Sequence, residues 1–426
     1  MSDATMKFFI HTTGCKANQW DSYVIGARLK EKGFDPAPLT DANVVIVNAC
    51  TLTNGAERDA RRFINRTRAM NSKAVIIIGG CHGQTYPDNA LGADVVLGHE
   101  EKFRVHEFLA KKGTFVGNTR AFVMEEGPVS GIPAGRTRVF VKVQDGCDNF
   151  CAYCVVPFAR GKPRSRPVEE ILLIMKRLRE QGIKEVVLTG IELASFHDPS
   201  SGMDLKGLLK ALEVEDTPPR VRISSIDPLA VDDEFIDLVA CSAKIARSLH
   251  IPLQSGCDAV LERMGRKYSA EFAEELLHKV RGRIEGVGIG LDVIVGFPGE
   301  TEDLFEDTRQ FIEKSDIYYL HVFPFSAREG TRAASWTDDV SESNKRERVR
   351  ALRKLDASKR RSFYGRFLGT TGLIIPEGKR YHGSYMRGYT DNYLPVYIGF
   401  QKALENNLVK VRINEIKDDL LIGEPL

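Results

Sequence analysis

Cys147, Cys151 and Cys154 stand in the spacing C-x3-C-x2-C, within the run Val143-Gln-Asp-Gly-Cys-Asp-Asn-Phe-Cys-Ala-Tyr-Cys154. Three thiolates on one short loop can hold three irons of a 4Fe-4S cube, whereas most electron-transfer clusters take four cysteines. The fourth iron is then open to a small ligand to which it can pass an electron, so the spacing points to catalysis more than to wiring. A structural zinc site is the competing reading, but zinc takes four nitrogen or sulfur ligands, commonly from paired C-x2-C knuckles. No second knuckle occurs, and the next histidine downstream is His197. Disulfides are not expected in a chain this long whose start, Met-Ser-Asp-Ala-Thr, lacks the charged, apolar and small-residue regions of a signal peptide.

Three more cysteines follow strand-like runs. Lys7 to Thr12 is extended and leads to Gly14-Cys15, Asn43 to Asn48 ends at Cys50, and Ala74 to Ile78 ends in Gly79-Gly80-Cys81. Each interval between these cysteines is about one strand-helix unit, and Trp20, Val24, Ile25 and Leu29 recur at helical spacing within the first. Open α/β sheets bind ligands at the carboxyl ends of their parallel strands. Cys15, Cys50 and Cys81 are therefore expected in one place, as ligands of a second three-cysteine cluster. Against this stands the reading of each as a small buried hydrophobe. Cys241 and Cys257 lack such company and read as packing residues.

The elements that must position these loops fall into three regions of an α/β protein. Residues 1–122 read as a Rossmann-like domain, with continuous apolar strands of the kind a parallel sheet buried on both faces requires. Glu125 to Gly135 is rich in Gly and Pro and reads as a linker. Residues 136–364 hold six strand-like runs, most of them separated by helix-period stretches, and suggest a partial (β/α)6 barrel with active residues at strand carboxyl ends. Residues 366–426 alternate with period two, as at Leu408 to Asn414, and read as a small antiparallel β-barrel.

Length suits two or three domains, and the apolar and charged fractions are those of a globular protein. A net charge of +2 excludes nothing. Arg160, Lys162, Arg164 and Arg166 follow the cysteine loop and could meet phosphates there, and the basic run Lys345 to Arg366 is either a solvated helix face or a further contact. Tyr385, Arg387, Tyr389, Asn392, Tyr393 and Tyr397 could clamp single-stranded nucleic acid or be barrel-wall residues. No apolar run approaches the roughly 20 residues of a membrane span, so a cytoplasmic protein, with nothing demanding more than a monomer, is expected.

The C-x3-C-x2-C loop, with Tyr153 before its last cysteine, resembles the radical S-adenosylmethionine superfamily. With three upstream cysteines, a barrel and a small terminal barrel, nearly the whole chain resembles the methylthiotransferases, whose last region is an RNA-contacting TRAM domain. Thr13-Gly-Cys-Lys-Ala-Asn-Gln19, Gln144-Asp-Gly-Cys147, Leu188-Thr-Gly-Ile191, Arg222-Ile-Ser-Ser-Ile-Asp-Pro228 and Gly388-Tyr-Thr-Asp-Asn-Tyr393 are most similar to the branch acting on threonylcarbamoyladenosine in tRNA.

The resemblance implies two 4Fe-4S clusters, one on Cys147, Cys151 and Cys154 that splits S-adenosylmethionine, and one on Cys15, Cys50 and Cys81 that carries sulfur. A second S-adenosylmethionine would methylate that sulfur, and the methylthio group would replace hydrogen on C2 of the adenine. Implied contacts to S-adenosylmethionine are Tyr153, Gly190, Glu192, Ser225, Gln254 and Gly296, with Gly190 and Glu192 standing where the superfamily has a Gly-Gly-Glu motif. Implied partners are the tRNA anticodon stem-loop and an electron donor such as flavodoxin or ferredoxin. Isopentenyladenosine, a ribosomal-protein aspartate, and a role as a non-catalytic RNA-binding iron-sulfur sensor stay open as alternatives.

Overall fold

A computed structural model describes residues 6–125 and 136–426. The linker read at Glu125 to Gly135 thus lies, apart from Glu125, outside the described residues, as do the first five residues. The amino-terminal region is a six-stranded, wholly parallel sheet in the order Asp35–Pro36, Lys7–Thr12, Val44–Ala49, Val75–Gly80, Val95–Leu97, Gly113–Phe115. Val44–Ala49 is buried at every position, as its unbroken apolar sequence requires. Strand order reverses between Lys7–Thr12 and Val44–Ala49, and Cys15 and Cys50 follow those two strands directly, where an open sheet forms its binding crevice.

Six parallel strands form the central region. Arg138–Lys142, Glu185–Thr189 and Arg220–Ile223 make one sheet, and Ser248–Gln254, Gly288–Val295 and Tyr319–Pro324 make another. Parallel bridges from Val221 to Ile245 and from Ser225 to His250 join the two into one partial barrel. Helix Lys16–Glu31 of the first region packs against its edge strand Arg138–Lys142. The Cys147 loop begins just past the end of that strand.

The 24-residue helix Glu342–Gly365 leads to a closed barrel of Thr371–Pro376, Tyr385–Tyr389, Pro395–Gly399, Leu420–Pro425 and Val409–Lys417, the barrel expected of a TRAM domain. Its core also takes in Tyr318 and Tyr319 of the central region and Phe363 and Tyr364 at the end of the connecting helix. The basic run on the connecting helix is only partly solvated: Arg348 is buried on Glu300 at 2.7 Å and Lys345 on Asp338 at 2.6 Å. No described helix is long and apolar enough to cross a membrane.

Candidate active site

Cys15, Cys50 and Cys81 converge from three neighbouring strands. The thiols of Cys15 and Cys81 act electrostatically on that of Cys50, which burial and then these neighbours push up to about 12. Burial likewise raises Cys15. Gly14 lets this happen: at φ +93° it turns so closely over Cys50 that a Cβ would lie 2.2 Å from the Cys50 Cβ. Thr13 Oγ1 accepts from the Cys50 amide at 3.0 Å, and Asn18 Nδ2 donates to the Thr13 carbonyl at 3.0 Å. Thr13, Gly14 and Asn18 of the Thr13 to Gln19 motif thus serve to fold one loop.

Cys147, Cys151 and Cys154 lie half-buried on the second loop. Burial pushes Cys147 up to about 11 and Cys154 up to about 12. Among the described residues, neither set of three sulfurs closes to within 4.8 Å of one another. A tetrahedral zinc, with bonds of about 2.3 Å, needs its sulfurs about 3.8 Å apart. Wider spacing and an all-sulfur donor set fit an iron-sulfur cube better than a single ion.

A pocket of 430 Å³ opens beside Cys151. Glu192 lines it, accepting from Asn149 Nδ2 at 3.2 Å, and burial followed by the Asp227 charge raises its carboxyl to about 7. Arg266 spans from Asp227, at 2.5 Å, to Cys151 Sγ, at 3.4 Å. Gln144, fully buried, ties the pocket together: its Oε1 accepts from the Ile191 and Glu192 amides at 3.0 and 2.8 Å, and its Nε2 donates to the Gly146 carbonyl and to Ser195 Oγ. Gly190 passes so close to Gln144 that a Cβ would lie 2.9 Å from Oε1.

The structure thus brings Glu192 to the cysteine loop, with Gly190 in the turn that presents it. Tyr153 packs edge-on to Phe297, the neighbour of Gly296. Ser225, Gln254 and Gly296 lie at the ends of neighbouring strands and do not line the pocket, while Gln254 holds a left-handed φ of +71° where the strand register shifts. Arg266 escapes sequence reading, since only the fold carries it to Cys151, while Gln144 and Asp227 enter it only as members of motifs, with no role assigned. A larger cavity of 640 Å³ beside Gly14, lined by His11, Arg62 and Arg66, is lined by none of the six cysteines.

A buried ion network joins the helix that begins at Cys81 to the helix that follows the Cys147 loop. Helix Cys81–Thr85 packs on helix Val156–Arg160, and Arg160 Nε donates to Cys81 Sγ at 3.2 Å. Its other nitrogens reach Asp145 at 2.8 Å, Asn18 at 2.5 Å and Asp21 at 3.1 Å. Lys102 and Lys142 complete the network on Asp21 at 2.6 and 2.5 Å. Asp145 feels burial pushing its carboxyl up, yet Arg160, Lys142 and Arg164 hold it well below the carboxylate range. This corrects the phosphate-binding reading of the basic run: Arg160 and Arg166 are fully buried, Arg164 pairs with Asp145, and only Lys162 is exposed. The charges are spent on domain contact, because buried carboxylates need partners.

The tyrosine-rich segment is likewise turned inward. Tyr389 and Tyr393 stack at 4.7 Å, and Arg138 and Arg222 of the central barrel lie over their rings. Asn392 Nδ2 donates to the Gly286 carbonyl at 2.9 Å, and Tyr397 is buried. Of the two readings, the wall is the one built at these residues. Cys257 packs in a buried cluster as expected, but Cys241 is exposed, because it ends helix Asp233–Cys241 on its open side.

Residues 141–312 match the model of the radical SAM superfamily, and residues 7–98 that of an uncharacterized protein family, UPF0004. The chain is 36% identical over 425 residues to the threonylcarbamoyladenosine tRNA methylthiotransferase MtaB of Bacillus subtilis (strain 168), covering 96% of this chain and 94% of the relative. It is 34% identical to the protein of the same name from Rickettsia prowazekii (strain Madrid E), with 96% of each covered. To the tRNA-2-methylthio-N(6)-dimethylallyladenosine synthase of Geobacillus thermodenitrificans (strain NG80-2) it is 30% identical, with 98% and 83% covered. Among solved structures, the radical S-adenosylmethionine methyltransferase TsrM from Kitasatospora setae, with cobalamin and a 4Fe-4S cluster bound, superposes with a TM-score of 0.58 at 17% identity, covering 78% of this chain and 77% of that one. That likeness extends to the fold alone. Each of the two family models falls on one cysteine set, and the relatives align along both, so the chain belongs to the radical S-adenosylmethionine methylthiotransferases.

Proposed function

We propose that this chain attaches a methylthio group to C2 of N6-threonylcarbamoyladenosine beside the tRNA anticodon, using two 4Fe-4S clusters and two molecules of S-adenosylmethionine. The observation that carries the reading is the contact between Arg160 and Cys81, which sets one three-sulfur group against the helix that leaves the other. Cys147, Cys151 and Cys154 would hold one cluster and Cys15, Cys50 and Cys81 the other. Bound there, these groups supply one-electron chemistry that breaks an unactivated C–H bond and a sulfur to take the place of the hydrogen.

The chain's own residues bind and orient. Glu192, its carboxyl poised near neutrality, is offered to an amine in the Cys151 pocket, and Arg266 to a carboxylate. Tyr153, Gly190, Ser225, Gln254 and Gly296 would shape the remaining contacts at the strand ends. The names carried by the more similar relatives favour the threonylcarbamoyl over the dimethylallyl substituent. Residues 1–122, 136–364 and 366–426 would act as sulfur-carrying, radical-generating and RNA-contacting domains, with flavodoxin or ferredoxin as electron donor. Mass spectrometry of tRNA nucleosides from cells with and without the protein tests this: 2-methylthio-threonylcarbamoyladenosine should vanish. If it persists while a ribosomal protein loses a methylthio group, the RNA reading is wrong.

A further inference from the structure

Burial alternates along the neighbouring strands Ser248–Gln254, Gly288–Val295 and Tyr319–Pro324. Leu249, Ile251, Leu291, Val293 and Leu320 join the core shared with the helices, whereas His250, Asp292 and His321 fall on the opposite, more open face, the inner one of the partial barrel. Gln254 ends the same strand as His250 on that face, about 13 Å further along at about 3.3 Å per residue. The three residues thus stand one level away from the strand ends and their loops.

Their side chains converge. His250 Nε2 lies 2.9 Å from Asp292 Oδ1, His321 Nδ1 lies 3.1 Å from the same oxygen, and one ligand atom from each residue falls within 4.8 Å of the others. A zinc-class ion, with bonds of about 2.0–2.1 Å to nitrogen and oxygen, sets its ligand atoms about 2.9–3.4 Å apart. His250 is also oriented: its Nδ1 lies 3.1 Å from the Tyr319 hydroxyl, the kind of outer contact that fixes the ring of a metal-binding histidine. Asp292 has no lysine or arginine in ion-pair contact among the described residues. The buried acidic set Asp21, Glu125 and Asp145 differs on this point, since Lys142 pairs with all three and takes the place of a cation. The His321 side chain is 51% exposed, so the set can be reached from the inner space of the barrel.

We infer that His250 Nε2, His321 Nδ1 and the Asp292 carboxylate bind one divalent transition-metal ion of the zinc class, apart from both cysteine sets. Two imidazoles and a carboxylate are donors such an ion prefers, and the absence of sulfur from the set separates it from cluster chemistry. Three protein ligands leave a position for water or another oxygen ligand. That position faces the inner space of the barrel, and the ion ties together three adjacent strands of its wall.

The test is zinc binding by the iron-loaded holoenzyme, titrated against a chelating dye and followed by metal analysis. The wild type should retain about one zinc per chain beyond its iron. His321→Ala and Asp292→Asn should each lose that zinc and keep the iron, and the exposure of His321 lets its ring be removed without disturbing the core. Tyr319→Phe keeps all three ligands and should weaken zinc binding about ten- to a hundredfold, because the contact that orients His250 is gone. Zinc taken up at cysteines is common to every variant and cancels in the difference. Zinc should also raise the thermal midpoint of the wild type and leave that of His321→Ala where it was, since an ion held by the folded chain stabilises it. Equal zinc in the wild type and His321→Ala, or none in either, would overturn the inference and leave the three side chains as a hydrogen-bonded set alone.

Discussion

Burial sets the ionisation of Glu192, with the Asp227 charge adding to it, so this carboxyl holds its proton to about pH 7 in the folded protein against about 4.5 when unfolded. The native state therefore binds the proton more tightly, and stability falls as pH rises from 4.5 to 7 and is flat above. Glu192→Gln should raise the thermal midpoint of the cluster-free protein at pH 8, by about 1–2 kcal/mol of stability, and have little effect at pH 4.5. The same variant should weaken S-adenosylmethionine binding by calorimetry, because the amine loses its anion. A midpoint lowered equally at both pH values would show that the Asn149 and Ala194 contacts outweigh burial. At this scale the sequence was explicit about sulfur and silent about its neighbours. Spacing alone marked Cys147, Cys151 and Cys154, whereas Arg160 looked like one more basic residue. Its role depends on Cys81, Asn18 and Asp21, each more than seventy residues away in the chain.

Loops at strand ends, more than the strands themselves, determine whether three sulfurs meet. Gly14 and Gly146 do the same work for the two sets: both have positive φ, and a Cβ on Gly146 would lie 2.0 Å from the Lys162 carbonyl oxygen. Gly14→Ala should push the Cys15 loop off Cys50 and cost about half of the iron bound by the wild type, while the electron paramagnetic resonance signal that responds to S-adenosylmethionine is kept. Gly146→Ala should do the converse. If both variants lose the same signal, the two loops do not hold separate clusters. The long buried strands were legible from unbroken apolar runs such as Val44–Ala49, and the six barrel strands from their spacing. Asp35–Pro36, Val95–Leu97 and Gly113–Phe115 were not, because two or three residues carry no period. The destination of the tyrosines was equally hidden, since period-two alternation says which residues share a face but not what that face meets.

The whole molecule is held around buried charges whose partners reach across from one region to the next. Glu185, from the central barrel, is buried against Arg138, Arg220 and Arg222, and two of these arginines pass on to the terminal barrel: Arg220 donates to the Tyr389 and Leu373 carbonyls at 2.8 and 2.9 Å, and Arg222 to those of Asp391 and Thr390 at 2.8 and 3.0 Å. One carboxylate thus orients the side chains that dock the carboxy-terminal barrel. Burial pushes its carboxyl up, but Arg222, then Arg138 and Arg220, outweigh it and hold it down to about 2. A depressed carboxyl contributes stability that is complete above its unfolded value of about 4.5 and is lost as pH falls toward 2. Glu185 should account for about 2–3 kcal/mol of the stability lost across that window. Glu185→Gln should remove that part of the acid slope and, at pH 7, cost about 3–5 kcal/mol by leaving guanidinium groups buried without their anion. Asp21 and Asp145 also titrate in acid, but they belong to the other interface, so the wild-type minus variant difference in urea unfolding at pH 7 and pH 3 isolates Glu185. The variant should also release the terminal barrel to limited proteolysis before the amino-terminal sheet is cut. A difference that is the same at pH 3 as at pH 7, with no early release, would mean that the Tyr318 and Tyr319 packing holds the barrel without help from these charges.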